Sequence, residues 1–116
     1  MIEVSDALGY RAPMSRPFRH PPASAFDIDA VLHALSDPVR RGVMVKLLGC
    51  EGLSCSKACT DLSPSTISFH HRVLREAGLI RSEKRGVEVI NRARKAEVDA
   101  RFPGLLDAIL RHHDGG

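Results

Sequence analysis

The sequence predicts a mainly α-helical domain carrying one two-stranded β-hairpin, and three observations predict it. Residues 63–78 read as a capped amphipathic helix. Ser63 is placed as N-cap, Pro64 sits where a missing N–H costs nothing, and Gly78 can take a positive φ beyond the last turn. Directly after Gly78 the pattern changes from a period of 3.6 to alternation, in Leu79–Glu83 and Val87–Asn91 around the basic tip Lys84-Arg85-Gly86. Upstream, two helical segments meet at Ser36-Asp37-Pro38, and a third, short one leads through a tight link into Ser63. A short helix, a brief turn, a capped helix and then a hairpin make a winged helix-turn-helix.

The first 25 residues hold four of the seven prolines, with Arg11, Arg16, Arg19 and His20 among them. Proline at that density prevents regular helix or interior strand, so residues 1–25 read as an extended or disordered arm, and residues 26–114 as the folded domain. The first helix spans Phe26–Leu35: Asp27 can cap it, and Ile28, Val31, Leu32 and Leu35 recur at helical spacing. The second runs from Pro38 to Leu48, with Val39, Val43, Met44 and Leu47 inward, Arg40, Arg41 and Lys46 outward, and Gly49 at its end. Ser54 caps the short helix Cys55–Asp61.

In the helix that follows, Ile67, Val73, Leu74 and Ala77 form an apolar stripe continued by Leu79. The opposite face carries Ser65, Thr66, Ser68, Phe69, Arg72 and Arg75. Hydroxyls and guanidinium groups on a rod roughly 20 Å long suit the major groove of double-stranded DNA, where they meet base edges and phosphates. A solvated helix would show the same alternation, and the surrounding charge decides between the two. The net charge is +3 and the pI about 9.0. From Ser63 to Lys95 there are eight Lys/Arg against three acids, so more than the whole net charge sits in this one segment. Lys84 and Arg85 at the hairpin tip are the corresponding wing contacts. The last segment, Lys95–His113, is helical but broken at Pro103-Gly104. Leu105, Leu106, Ile109 and Leu110 give it a narrow apolar stripe that, with the first helix, predicts a homodimer.

The wording Leu35-Ser36-Asp37-Pro38-Val39-Arg40-Arg41 and Ser65–Ile80 resembles the ArsR/SmtB family of bacterial winged-helix repressors, over residues 28 to 110. The resemblance implies a homodimer that holds an inverted-repeat operator and leaves it when an inducer binds. It assigns Ser65, Thr66, Ser68, Phe69 and Arg72 to the DNA-contacting helix, and Lys84 and Arg85 to the wing. One departure stands out. The family's histidine pair is followed by Leu or Phe, whereas here the order is Phe69-His70-His71, which turns Phe69 outward and a histidine inward. A buried imidazole must find a partner or shift its pKa downward.

No run approaches the eighteen or more apolar residues of a membrane span, and no signal-type apolar segment follows Met1, so a cytoplasmic location is expected. The three cysteines are an odd count that suits free thiols. Cys55 and Cys59, spaced i, i+4, share one face of their helix. They read either as small apolar groups in the core or as a thiol sensor for a soft metal, a metalloid or an oxidant. Relatives that sense arsenic or cadmium use Cys-x-Cys-x-x-Cys, which is absent here. A zinc finger fails on spacing, since His70 and His71 are adjacent. His112, His113 and Asp114 read as a solvated tail, because the start of the last helix lacks the Asp-x-His pair of zinc-sensing relatives. No cofactor is required, and the metal, if any, is unspecified. Without Cys-x-x-Cys, a phosphate loop or His-Glu-x-x-His, the chain is not expected to be an enzyme. The competing class is a winged helix that meets an acidic protein partner through the same face.

Overall fold

In the computed structural model the structure describes residues 18–49, 53–54 and 62–113. Helix α1 (Ile28–Ala34) starts on Asp27, whose carboxylate accepts from the Asp29 N–H at 3.3 Å. Asp37 caps α2 (Pro38–Leu48) more fully, accepting from Val39 and Arg40 N–H at 2.8 and 3.2 Å, with Pro38 in the first turn. The third described helix, α3 (Pro64–Glu76), opens on Ser63, which accepts from the Thr66 N–H at 3.4 Å. It closes in a Schellman turn: Gly78, at φ 88°, donates to Arg75 O, and Leu79 donates to Leu74 O at 2.9 Å.

The hairpin pairs β2 (Ile80–Arg85) with β3 (Glu88–Ala93), from Ile80 opposite Ala93 to Arg85 opposite Glu88. Its loop is Gly86-Val87, with Gly86 at φ 63°, the position a two-residue turn reserves for glycine. The strands therefore run further than expected, and Lys84 and Arg85 are their last residues instead of the turn itself. A short strand, β1 (Leu53–Ser54), joins the far side of β3, giving a three-stranded sheet in the order β1-β3-β2. Two helices, α4 (Lys95–Arg101) and α5 (Leu105–Arg111), follow and are separated by Gly104 at φ 80°. The short helix expected over Cys55–Asp61 lies outside the described residues.

The core gathers Val31 and Leu35 of the first helix, Val43, Met44 and Leu47 of α2, Ile67 and Leu74 of α3, Leu79 and Ile80, and Val98 and Leu106 of the last two helices. Phe26 closes it beside Gly78. A β-carbon at Gly78 would stand 2.3 Å from Phe26 Cε1, so this position needs glycine for space as well as for φ.

Two expectations, both of outward arginines, are corrected. Arg40 is buried instead of outward: its Nε donates to Ala34 O at 2.7 Å and Nη2 to His33 O at 3.4 Å, so it satisfies carbonyls left open at the end of α1. Arg41 does the same for Leu35 O at 2.9 Å. Ile28 and Leu32, by contrast, point out of the subunit at 38% and 45% exposure. The arm reaches the described residues at Phe18 and from there lies against the domain, with Ala23–Ala25 in a 3₁₀ turn.

Candidate nucleic-acid interface

Helix α3 divides into two faces. Ile67, His70, His71 and Leu74 are buried, while Ser65, Thr66, Ser68, Phe69 and Arg72 are exposed. At about 100° per residue, Ser65, Ser68, Phe69 and Arg72 fall within roughly 100° of arc, with Thr66 flanking it about 60° beyond Phe69. Four of the predicted contacts thus share one solvent-facing strip, and the fifth is exposed on its flank. Phe69 is half exposed, and the Arg72 guanidinium stands 6.0 Å from its ring centroid, near the outer limit of a cation–π contact. A large apolar ring left in water beside a guanidinium can take up a thymine methyl while the arginine reaches guanine or phosphate.

Behind this strip the helix is anchored by polar contacts. His70 lies in the core with its Nδ1 3.0 Å from Arg40 Nη1, and since a guanidinium has only hydrogens to offer, Nδ1 accepts. His71 is buried on the other flank, and among the described residues neither of its ring nitrogens has a hydrogen-bond partner. Burial, helped by the Arg75 charge, lowers its pKa from 6.5 to about 4. The neutral ring packs there as a flat, mostly apolar group.

Arg75, the sixth residue expected on the strip, stands apart from it. It is half-buried, its Nη1 donates to Ser82 Oγ at 3.0 Å, and its guanidinium stacks 4.5 Å from the Phe18 ring centroid. On the wing, Lys84 and Arg85 are both exposed and alternate to opposite faces of the hairpin. Arg85 pairs with Glu83 at 3.3 Å and faces Glu88 across the strands, whereas Lys84 makes no ion pair with a described residue. Arg94, counted in the basic segment, is buried in a two-pronged contact with Glu97 at 2.7 and 3.0 Å. The surface cations of that segment are thus Arg72, Arg81, Lys84, Arg85, Arg92 and Lys95, the last paired with Asp99 and Asp107. Val87, expected to open the second strand, lies instead in the turn at the wing tip and is 97% exposed. The sensor candidates Cys55 and Cys59 lie outside the described residues. Among the described residues no group of three or more His, Cys, Asp or Glu could hold a metal ion, and no helix is long and apolar enough to cross a membrane.

Residues 37–82 match the sequence profile described as "Bacterial regulatory protein, arsR family", a span from the Asp37 cap through α3 into β2. A crystal structure of an ArsR family transcriptional regulator superposes with a TM-score of 0.58 at 25% identity, covering 63% of this chain and 76% of that one. An ArsR-like transcriptional regulator from Rhodococcus sp. RHA1 is 33% identical, with a TM-score of 0.55 over 64% of this chain and 71% of its own. The transcriptional repressor BigR from Xylella fastidiosa, 21% identical, has a TM-score of 0.58 over 77% and 88%, a likeness in fold alone. No curated protein matches the sequence significantly.

Proposed function

The chain belongs to the ArsR family of bacterial regulatory proteins, and from that premise we propose that it is a homodimeric transcriptional repressor bound to an inverted-repeat operator. Family membership carries DNA-binding transcriptional regulation. The observation that carries the rest is the exposed strip Ser65, Ser68, Phe69 and Arg72 on a helix capped at both ends, with a basic wing three residues downstream. Hydroxyls and arginine read base edges in the major groove, and the wing lysine and arginine neutralise phosphates beside it. A pair of such helices about one helical turn apart, near 34 Å, selects an inverted repeat. The exposed Ile28 and Leu32 of α1 and the half-buried Leu105, Ile109 and Leu110 of α5 support a dimer that covers them.

The deciding experiment is footprinting of the purified protein on its own upstream DNA, with light scattering to give the oligomeric state. A protected inverted repeat with a dimer supports the reading. Equal affinity for upstream and random DNA at moderate salt overturns it and favours the protein-contact alternative, for which the exposed Phe69 is the specific observation. Cys55 and Cys59 are the proposed sensor for a metal, a metalloid or a thiol-reactive inducer. If the variant with both changed to Ser is still released from DNA by arsenite, cadmium or peroxide as the parent is, that part fails.

A further inference from the structure

The segment from Phe18 to Phe26 crosses the joint where the recognition helix turns into the wing, and it holds both sides of that joint. On the helix side, the Phe18 ring lies under the Arg75 guanidinium at 4.5 Å, and Phe26 is buried against Gly78. On the wing side, His20 Nε2 accepts the Ser82 N–H at 2.9 Å. That N–H faces away from β3 because β2 is the outer strand of the sheet, so the imidazole occupies an otherwise open edge. Ser82 then connects the two sides: its hydroxyl receives Arg75 Nη1 at 3.0 Å and donates to Asn91 Oδ1 at 2.6 Å. At the base of the wing, where β3 ends beside Leu79, Pro21 O accepts from Arg94 Nη1 at 2.8 Å, and the Phe26 ring lies 4.9 Å from the same guanidinium.

We propose that this segment is a strap that sets the angle of the wing on the recognition helix, which makes Phe18 and His20 positioning residues for DNA binding that act through Arg75 and Ser82. The inference rests on the DNA-binding reading above. Leu79 and Ile80 fix the base of the wing in the core, but beyond them the outer hairpin runs out into solvent, and without the strap that part is freer to pivot. A wing free to pivot must be ordered when it meets phosphate, and that ordering entropy subtracts from affinity. A strapped wing is ordered in advance.

The strap also has a chemical condition. His20 can accept from Ser82 only while Nε2 is unprotonated. Burial, then the charges of Arg81 on β2, Arg94 after β3 and Arg75 on α3, hold its pKa below the ordinary 6.5. Protonation would remove the acceptor and set a fourth cation among three arginines.

The test is a cycle of variants in the full chain, read by fluorescence anisotropy on the footprinted DNA. Phe18→Ala with His20→Ala weakens binding about fivefold, and the wing pair Lys84→Ala/Arg85→Ala about tenfold in the parent but no more than about twofold in the strap variant. Arg72→Ala keeps its full penalty in both backgrounds, because the helix itself stays in place. His20→Gln restores binding through its amide oxygen and keeps it as the pH is lowered below 6.5, where the parent weakens once His20 takes up a proton although added positive charge favours DNA. Circular dichroism confirms folding, and His20→Ala alone serves as the strap variant if the double one is unfolded. An equal fold-cost of the wing pair in both backgrounds, or unchanged affinity on removing the strap, overturns the proposal. So does a lower salt slope on losing His20 in the chain that already lacks Lys84 and Arg85, which would mark it as a direct phosphate contact. A parent chain with no DNA preference sinks the underlying reading instead.

Discussion

Arg40 Nη1 lies 3.0 Å from His70 Nδ1, and this contact ties the recognition helix to the end of α1 through a single buried side chain. The same guanidinium binds the buried Ala34 O and reaches His33 O, a partly buried carbonyl that Ser36 also serves, so one residue closes two buried acceptors on two helices. The sequence motif Asp37-Pro38-Val39-Arg40-Arg41 is therefore structural: Asp37 caps α2, Pro38 starts it, and the two arginines satisfy the carbonyls of the helix before it.

Replacing Arg40 by Ala should lower stability by roughly 3 kcal/mol, since a buried hydrogen-bonding centre is lost and its acceptors are stranded. Arg40→Lys should recover less than half, because an ammonium cannot reproduce the planar fork. Urea unfolding followed by circular dichroism measures both. A cost below about 1 kcal/mol for Arg40→Ala would show that water replaces the guanidinium with ease.

Gly78→Ala meets two penalties at once. A left-handed φ costs an L-residue about 1 kcal/mol, and the added methyl overlaps the Phe26 ring, so the total should exceed 2 kcal/mol. Phe26→Leu in the same chain, by clearing the ring, should return part of that loss. The melting temperatures of the single and double variants report the coupling directly.

Local features of this kind were legible in the sequence. Ser63 and Gly78 bracket the helix, Gly86 turns the hairpin, and the outward strip of α3 follows from spacing alone, since each depends on neighbours within four residues. The fates of Arg40, Arg75 and Arg94 were not legible. All three look like solvated surface cations in a linear pattern, yet their partners (His70, Phe18 and Pro21) are supplied by remote parts of the chain. Ile28 and Leu32 show the converse: helical periodicity marks a residue as apolar-facing without saying whether its own subunit or a twin covers it.

His71 makes stability depend on pH in a defined window. At neutral pH the ring is uncharged in both folded and unfolded chains. Below 6.5 the unfolded chain binds a proton that the folded one refuses until about pH 4, so stability falls with pH across that interval and levels off below it. The full loss is on the order of 3 kcal/mol. His71→Leu should flatten the profile and raise stability at neutral pH by about 1 kcal/mol, because two unpartnered nitrogens leave the core. Chemical denaturation between about pH 7 and pH 4 checks this, and a parent profile as flat as the variant's would mean that His71 takes up its proton without unfolding.

The division of labour between helix and wing predicts two distinguishable losses. Arg72 stands on the exposed strip beside Phe69, where a guanidinium can address a base edge, so Arg72→Ala should cost 1–3 kcal/mol on the operator, roughly, and much less on random DNA. Lys84 and Arg85 sit at the tip end of β2, a place suited to the phosphate backbone or the minor groove rim. Their joint replacement should weaken operator and random DNA alike and lower the slope of log affinity against log salt by about two. Arg85 contributes the smaller share, because it must first give up Glu83 at 3.3 Å, whereas Lys84 has no carboxylate among the described residues to leave. Titrations at several salt concentrations on both DNAs separate the two effects. Equal losses on both DNAs for Arg72→Ala would show that α3 holds phosphate and reads no sequence.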